Sequence, residues 1–317
     1  MKYASFLLSL LILLIAPFFG QIDLSITELL NSSSASSMLF WEIRLPRVLI
    51  AFFSGAILAL AGLVFQSLFR NPLTTPFTLG VASGSTLGTA IAIVFLNAVL
   101  FWQYLLSFAG ALLTVLILFI LSKSLKRTQT HSLLLVGIAL SFFYSAALMV
   151  LFFLSDFSQS YSIVRFTMGS LNIIGFPFVL PVFAASLILL LCMLYFRPQI
   201  RLLLTSHEFA YLQGIEVSRS ILSLLLIASF AVAVCVSLVG PIGFVGLIVP
   251  HMIKILYRKS SDRLVVPTFY YGGVFLVACD FVARNLGASS DIPIGVVTSF
   301  IGGPFFIYLI IRKNKGD

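Results

Sequence analysis

Charged side chains are scarce in this sequence, and that scarcity excludes most classes of soluble protein. Only 9% of the 317 residues are Asp, Glu, Lys or Arg, whereas 60% are hydrophobic. Soluble domains carry about 25% charged residues. Too few polar groups are present to cover a surface that faces water, so we interpret residues 1–317 as one integral membrane domain. The net charge of +9 comes from basic residues scattered singly between apolar runs, so no nucleic-acid partner is expected.

Catalytic and metal-binding motifs are also absent. The three cysteines lie in three different apolar runs without a CxxC pair, so neither a disulfide framework nor a thiolate metal site is predicted. The three histidines lie in separate segments without an HExxH pattern. No GxSxG or SxxK nucleophile pattern occurs, and no GxxxxGK[ST] loop is present to cradle a phosphate. We therefore expect no catalytic residues, no metal site, no cofactor and no ATP hydrolysis by this chain.

The sequence does contain a series of apolar runs. About 20 apolar residues, at a rise of 1.5 Å each, cross a bilayer core of about 30 Å. The first run is interpreted as an uncleaved helix rather than a signal peptide, because Pro17 interrupts it and no A-x-A site precedes Gln21. We predict an all-α membrane bundle of about ten transmembrane helices, at residues 1–20, 48–69, 77–101, 102–121, 132–154, 171–196, 220–239, 242–257, 264–283 and 292–311.

The basic residues predict the orientation of these helices. If the N-terminus is inside and every run crosses the membrane, 15 of the 19 Lys and Arg residues fall on the inner side. Positive charges concentrate in the cytoplasmic loops of membrane proteins. We therefore predict that both termini are cytoplasmic. Four basic residues fall outside against this bias: Arg44, Arg47, Arg165 and Arg284.

Three further patterns follow one another along the chain. The first, within residues 44–84, begins with R-L-P-R, continues through G-A-x-L-A-x-x-G-x-x-F-Q and R-N-P-L, and ends with L-G-V-x-S-G. The second is Gly243–His251, and the third is Pro293–Thr298 followed by Gly302–Phe305. In order and spacing, these patterns resemble the FecCD family of ABC importer permeases, and the resemblance covers nearly the whole chain.

The resemblance implies a function and a set of partners. Similar permeases import ferric siderophores, haem or vitamin B12, so we expect a multi-pass subunit of a binding-protein-dependent importer in the bacterial cytoplasmic (inner) membrane. The expected partners are a second permease chain, identical or related, two cytoplasmic ATPase subunits, an external substrate-binding protein and membrane lipid. A ferric siderophore is the first expectation, because the brief N-terminus resembles the siderophore members; haem and cobalamin are the alternatives.

Two other classes of function fit the sequence less well. An intramembrane enzyme needs a catalytic set within its helices, and no such motif is found. An ion-coupled secondary transporter usually carries charged residues at the centres of its helices, whereas the apolar runs here are almost free of charge there.

The arginines on the outer side require an explanation. They either snorkel from the membrane interface to water or form bidentate pairs with the carboxylates of an acidic partner. In similar permeases, arginines at these motif positions meet glutamates on the binding protein. The resemblance therefore favours Arg47 and Arg284, with Arg44 third, as docking residues at the external surface, whereas Arg165 is expected in a loop as an anchor. Asp280 and Arg284 are four residues apart, and this i, i+4 spacing predicts that their side chains form an ion pair.

The polar loop 198–218 on the inner side is a second candidate site. From its residues alone, it is either an amphipathic connector on the membrane or a coupling helix that contacts an ATPase. The resemblance favours coupling, with Glu208, Phe209, Leu212 and Gly214 as the candidate residues.

Two smaller groups of residues complete the candidates. Thr130 and His131 lie at the cytoplasmic end of a predicted helix, either as a simple cap or, by resemblance, as a gate that narrows the pathway. Gly80, Gly84 and Gly88 are spaced four residues apart, which predicts one helix face that another backbone approaches closely.

The predicted topology is testable by cysteine labelling in a chain whose native cysteines have been replaced. Single cysteines at Leu30 and Asn285 should react with a membrane-impermeant thiol reagent from outside, because the charge bias places these positions there. Cysteines at Lys126, Glu208 and Asn314 should react only from inside. Reversed labelling at any two of these positions would contradict the topology.

Overall fold

The computed structural model describes residues 2–20, 22, 35–96, 99–124, 130–205, 211–286 and 291–314, which form helices and no strand. In chain order the helices are α1 (Lys2–Ile15), α2 (Ala35–Met38), α3 (Leu45–Leu68), α4 (Val81–Phe95), α5 (Leu100–Ser124), α6 (Thr130–Leu154), α7 (Phe157–Thr167), α8 (Val179–Tyr195), α9 (Arg197–Thr205), α10 (Val217–Val239), α11 (Val245–Tyr257), α12 (Val265–Leu286) and α13 (Ile294–Asn314). A π-helical turn, Leu39–Arg44, joins α2 to α3, and 3₁₀ turns at Phe176–Phe178 and Ser261–Arg263 precede α8 and α12.

The apolar helices match the predicted segments one for one within the described residues. Six helical stretches are long and apolar enough to cross a membrane: α2 with α3, α5, α6, α8, α10 and α12. Shorter apolar stretches of 10–17 residues come from α1, α4, α11 and α13. An all-helical membrane bundle is therefore confirmed, whereas the crossing of all ten segments and the cytoplasmic termini stay predictions.

Several predicted boundaries are wrong. Helix α4 ends at Phe95 and α5 begins at Leu100, so the break predicted at residue 102 lies too late in the chain. The run predicted at 171–196 becomes helical only from Phe176. Apolar composition alone does not mark these ends, because short irregular segments inside a bundle are as apolar as the helices that they join.

Helix α7 replaces a predicted loop. Asp156 accepts a hydrogen bond from the Gln159 backbone N–H at 2.7 Å, and the Gln159 side chain accepts one from the Asp156 N–H at 3.1 Å. This capping box satisfies two donors that a helix start otherwise leaves unpaired. Arg165, expected in a loop, is thus an exposed residue near the end of a helix that packs on α4.

A short helix and a π-helical turn precede α3. Pro46 lacks an N–H, and its ring clashes with the carbonyl of the residue four positions earlier, so a regular α-helix through this point is unfavourable. The wider π-helical turn accommodates the mismatch. Arg44 is the last residue of this turn and Arg47 is the third residue of α3, and both are buried.

Helix α3 lies at the centre of the bundle. Twenty of its 24 residues are buried, which requires neighbours on every side. Those neighbours are α8, α10, α11 and α12. The helix is rich in Ala, Gly and Leu, so it presents a thin, smooth surface that other helices can approach closely.

Glycines determine how closely α3 and its neighbours approach. A Cβ added to Gly62 would overlap the carbonyl oxygen of Gly246 on α11. A Cβ on Gly55 would overlap the carbonyl oxygen of Gly272 on α12. Since backbone is in contact with backbone at both crossings, neither neighbour can yield by a rotamer change.

The three glycines at the start of α4 contact two different helices and do not lie on one helix face. Gly84 and Gly88 face α5, where an added Cβ would overlap Thr114 Oγ1 and the Leu106 carbonyl oxygen. Gly80 precedes the helix in the left-handed conformation, with φ of 80°, and faces Gly137 on α6. The equal spacing in sequence therefore does not place all three on one face.

We predict that Gly62→Ala destabilises the protein by about 1–3 kcal/mol, because an overpacked contact forces the helices apart. Gly303→Ala is the matched control, since Gly303 also lies in a helix but no atom lies within 4 Å of an added Cβ. Thermal unfolding of both variants in detergent tests this. Equal unfolding temperatures for the two variants would show that the α3–α11 crossing is not tightly packed.

Candidate functional site

A cavity of about 770 Å³ opens between α4, α6, α7 and α13. Phe300 lies on the open side of the cavity and is 81% exposed. The lining comprises Phe77, Ala82, Ser83, Thr86, Tyr144, Ser145, Leu148, Thr167, Met168, Pro241, Gly243, Gly295, Val296, Ser299 and Phe300. None of these residues is charged, and this lack of charge defines the chemistry of the cavity.

Both hydroxyl and apolar groups line the cavity wall. Hydroxyls come from four helices, for example Thr86, Tyr144 and Ser299, and aromatic rings from Phe77 and Phe300. The Tyr144 hydroxyl accepts a hydrogen bond of 3.0 Å from a buried threonine on α5, which holds its ring in place. Such a wall offers weak hydrogen bonds and dispersion contacts but no ion pair, so a bulky solute can pass without being held by a charge.

Two irregular turns border this cavity, each directly before a helix. Helix α4 follows an irregular turn that contains Phe77, and α11 follows another that contains Gly243. In membrane proteins, non-helical backbone is tolerated only where it is buried in protein or lines a water-filled space. The first turn partly satisfies its own polar groups, since Thr78 Oγ1 donates to the Thr75 carbonyl at 2.7 Å and accepts from the Thr75 N–H at 3.1 Å.

Main-chain contacts at the end of α7 close one side of the cavity. The Ser170 N–H donates to the Val239 carbonyl at 2.8 Å, and the Gly295 N–H donates to the Met168 carbonyl at 3.0 Å. Gly169 lies between these bonds with φ of 73°, and its Cβ position would lie 2.9 Å from the Pro241 carbonyl oxygen. The end of α7, the end of α10 and the start of α13 are thus joined through backbone atoms directly beside the cavity.

At the end of the bundle that the charge bias places outside, a buried carboxylate bridges two arginines. Asp280 Oδ1 on α12 accepts from Arg47 Nε at 3.0 Å and lies 2.9 Å from Arg47 Nη2. Asp280 Oδ2 lies 3.0 Å from Arg284 Nε, as the i, i+4 spacing predicts, although this ion pair lacks hydrogen-bond geometry. Asp280 is fully buried, so its negative charge needs the two arginines as counter-charges.

The other edge of Arg47 faces more exposed partners. Its Nη1 donates to Asn172 Oδ1 and to Asp291 Oδ2, both at 2.6 Å. The Asp291 side chain, three residues before α13, is 22% exposed, and Asn172 is exposed. Arg47 therefore joins α3 to α12, to the segment before α8 and to the entrance of α13.

Arg284 and Arg44 also hold the end of α1. Arg284 donates to the carbonyls of Ala16 at 3.1 Å and Phe19 at 3.3 Å, and Arg44 donates to that of Phe18 at 2.8 Å and also to that of Ile22. Cations are favourable beside the free carbonyls at a helix C-terminus. We refer to Arg44, Arg47, Arg284, Asp280 and Asp291 together as the outer arginine cluster.

The outer arginine cluster differs from both sequence-based expectations. The relative exposures of Arg44, Arg47 and Arg284 are 5%, 8% and 5%, so these side chains neither snorkel through lipid nor lie at the external surface as expected. Their docking role stays a prediction. The three arginines were expected to be exposed because the sequence offered only Asp280 as an internal counter-charge. Their position against the charge bias was the one sign that the fold contains further internal partners for them.

The inner candidates are only partly described. Glu208 and Phe209 lie outside the described residues. Leu212 is 79% exposed, and Gly214 follows with φ of 80°, its N–H donating to the Tyr211 carbonyl at 3.0 Å. Leu212 is thus presented at the surface by a tight turn, directly before α10.

The gate candidates Thr130 and His131 are the first two residues of α6, a helix that lines the cavity farther along at Tyr144, Ser145 and Leu148. Their roles stay predictions.

Comparison with known proteins places this architecture in a family. The model of the FecCD transport family matches residues 7–312. The chain belongs to the FecCD transport family. It is therefore a multi-pass ABC importer permease and belongs to a family of transport proteins rather than enzymes.

Relatives of this FecCD permease carry different cargoes. It is 37% identical to the hemin transport system permease protein HmuU of Yersinia pestis, over 98% of this chain and 95% of that one. It is 32% identical to the molybdate import system permease protein MolB of Haemophilus influenzae, over 95% and 89% of the two chains. A solved inward-facing structure of a metal-chelate type ABC transporter superposes with a TM-score of 0.88 at 30% identity, covering 98% of each chain.

We predict that Asp280→Asn destabilises the FecCD permease by about 3–5 kcal/mol, because it leaves two neighbouring arginines buried without their shared counter-charge. Glu216→Gln is the matched control, since Glu216 forms an exposed pair with Arg219 at 3.1 Å and its loss should change stability by less than about 0.5 kcal/mol. Thermal or denaturant unfolding in detergent measures both. A similar small effect for both variants would mean that the cluster contributes little to stability.

Proposed function

We propose that this FecCD permease is the membrane subunit of an ATP-driven importer for an organic metal chelate, with an iron chelate, a ferric siderophore, as the first candidate and haem or cobalamin as alternatives. The observation that carries the proposal is the uncharged cavity of about 770 Å³ between α4, α6, α7 and α13. Hydroxyl, aromatic and thioether groups suit a bulky chelate with both polar and apolar surface. A small oxyanion would need arginine, lysine or aligned N–H donors in place of this lining.

The cavity is open along α13, where Val296 and Phe300 are exposed. We infer that a second permease chain, identical or related, covers this side, so that two such cavities face each other across the translocation path. Large exposed apolar patches mark interaction surfaces or contacts with lipid. Membrane lipid would cover the remaining apolar exterior, in the bacterial cytoplasmic (inner) membrane.

Energy would come from two cytoplasmic ATPase subunits, since the chain has no phosphate-binding loop of the Walker type. We propose that the loop with Glu208, Phe209, Leu212 and Gly214 couples to them. The exposed Leu212 supports this role, because an apolar side chain on a tight surface turn suits insertion into a groove. A conformational change there would reach the cavity through α10, whose end is bonded to Ser170.

On the outer side, an external binding protein would deliver the chelate. The resemblance assigns the docking of this binding protein to Arg44, Arg47 and Arg284. Asp291 of the same cluster lies three residues before α13, and α13 lines the cavity. Since these guanidinium groups are paired inside the protein, docking through them requires a rearrangement.

The proposal is tested by uptake into cells with and without this chain, using radiolabelled ferric siderophore, haem, cobalamin and molybdate. We expect uptake of one chelate and none of molybdate. Ser299→Asp should reduce chelate uptake at least about tenfold, because a carboxylate in a neutral cavity must be desolvated or repels an anionic chelate. Ser299→Ala, at the same position, should retain uptake.

The variant Leu212→Asp, measured in the same uptake experiment, tests the proposed coupling to the ATPase subunits. It should leave the chain in the membrane but abolish uptake, because a buried unpaired carboxylate weakens a packed interface. Uptake of molybdate alone, or chelate uptake that does not depend on an ATPase, would refute the proposed function.

A further inference from the structure

We infer that the pair between Arg47 and Asp291 is an outer latch of the cavity, and that a carboxylate of an external protein opens it by replacing Asp291 on Arg47. The inference rests on the proposed function for the identity of that protein. It concerns the regulation of the outer side, where an internal carboxylate occupies the docking arginine until an external one takes its place.

The first support is the asymmetry of Arg47. Its Nε and Nη2 edge contacts Asp280, which is fully buried, whereas its Nη1 contacts Asn172 and Asp291, both of which reach the surface. The second edge is therefore the one whose partners water or another protein can reach. The network can therefore open at Nη1 while the buried pair with Asp280 stays intact.

The second support is the mechanical position of Asp291. It lies three residues before Ile294, where α13 begins, and the next residue, Ile292, donates its N–H to the Ala283 carbonyl at 3.3 Å. The first turn of α13 then contributes Gly295 and Val296 to the cavity wall. Releasing Asp291 from Arg47 removes the side-chain contact that holds the entrance of this helix, while the main-chain bonds of Ile292 and Gly295 keep its start beside the cavity.

The third support is the charge balance. Arg47 and Arg284 are matched by Asp280 and Asp291, so the four charged groups sum to zero. Losing Asp291 without replacement leaves two guanidinium groups facing a single carboxylate. The group that replaces it must therefore be an anion, and a planar carboxylate can form the same bidentate or shared contacts with arginine. Exchange of one carboxylate for another conserves the charge of the site.

The test uses the permease in spheroplasts and compares Asp291→Asn with Glu42→Gln. Glu42 is also exposed near Arg44 in sequence, but none of the ion pairs found among the described residues includes it, so both variants remove one outer negative charge. Modification of Arg47 by the membrane-impermeant reagent hydroxyphenylglyoxal is followed by mass spectrometry, with the exposed Arg165 as internal reference.

We expect Asp291→Asn to raise the relative modification rate of Arg47 by about fivefold, which is the shift that loss of a partly exposed ion pair produces. Asp291→Glu and Glu42→Gln should stay at the wild-type rate. If Asp291→Asn is not inserted, Asn172→Ala loosens the same Nη1 contact and should also raise the rate. Equal rates in the inserted variant and Glu42→Gln overturn the latch.

The exchange step is tested with poly-L-glutamate as a soluble polycarboxylate, binding to the purified permease in detergent. Asp291→Asn should bind it about fivefold more tightly than wild type and Glu42→Gln, because the internal competitor is gone. Unchanged affinity overturns the exchange. Neither measurement uses a chelate or an ATPase, so failed chelate uptake would refute the proposed function without affecting these two results.

Discussion

The outer half of this permease depends on a single buried carboxylate. Asp280 lies between two guanidinium groups, Arg47 from α3 and Arg284 from its own helix, and it is fully buried. An isolated charge at this depth would cost several kcal/mol, so the three groups are stable only together. Because the two arginines also hold α1 and the entrance of α13, the position of both segments follows from this one contact.

The middle of the bundle is held by a different constraint. Helix α3 contacts its neighbours through glycine, at Gly55 and Gly62, where backbone meets backbone. Within a membrane there is no hydrophobic driving force between helices, so close van der Waals packing must supply the association. The irregular turns that precede the shorter helices α4 and α11 contribute Phe77 and Gly243 to the cavity wall.

These two constraints assign different tasks to the two sides of the protein. A buried charged cluster fixes the ends of helices at the end of the bundle that is predicted to face outside, while the cavity wall between α4, α6, α7 and α13 is uncharged. A wall without charge neither binds a solute tightly nor repels it strongly. Under the proposed function, selection of the cargo would then fall to the external binding protein, and the charged cluster is the feature of this chain that we propose it engages.

Composition, the spacing of the apolar runs and three motifs were enough to predict a helical membrane permease, because lipid allows few alternatives to the helix. The i, i+4 spacing also predicted the pair of Asp280 with Arg284. Sequence could not show that Arg47 reaches Asn172 and Asp291, since these residues lie 125 and 244 positions away. It likewise mistook Arg44 for a surface residue, because burial depends on which helices pack around a side chain. The helical fold was thus determined locally, whereas the partners of each charge and the shape of the cavity were decided only by tertiary packing.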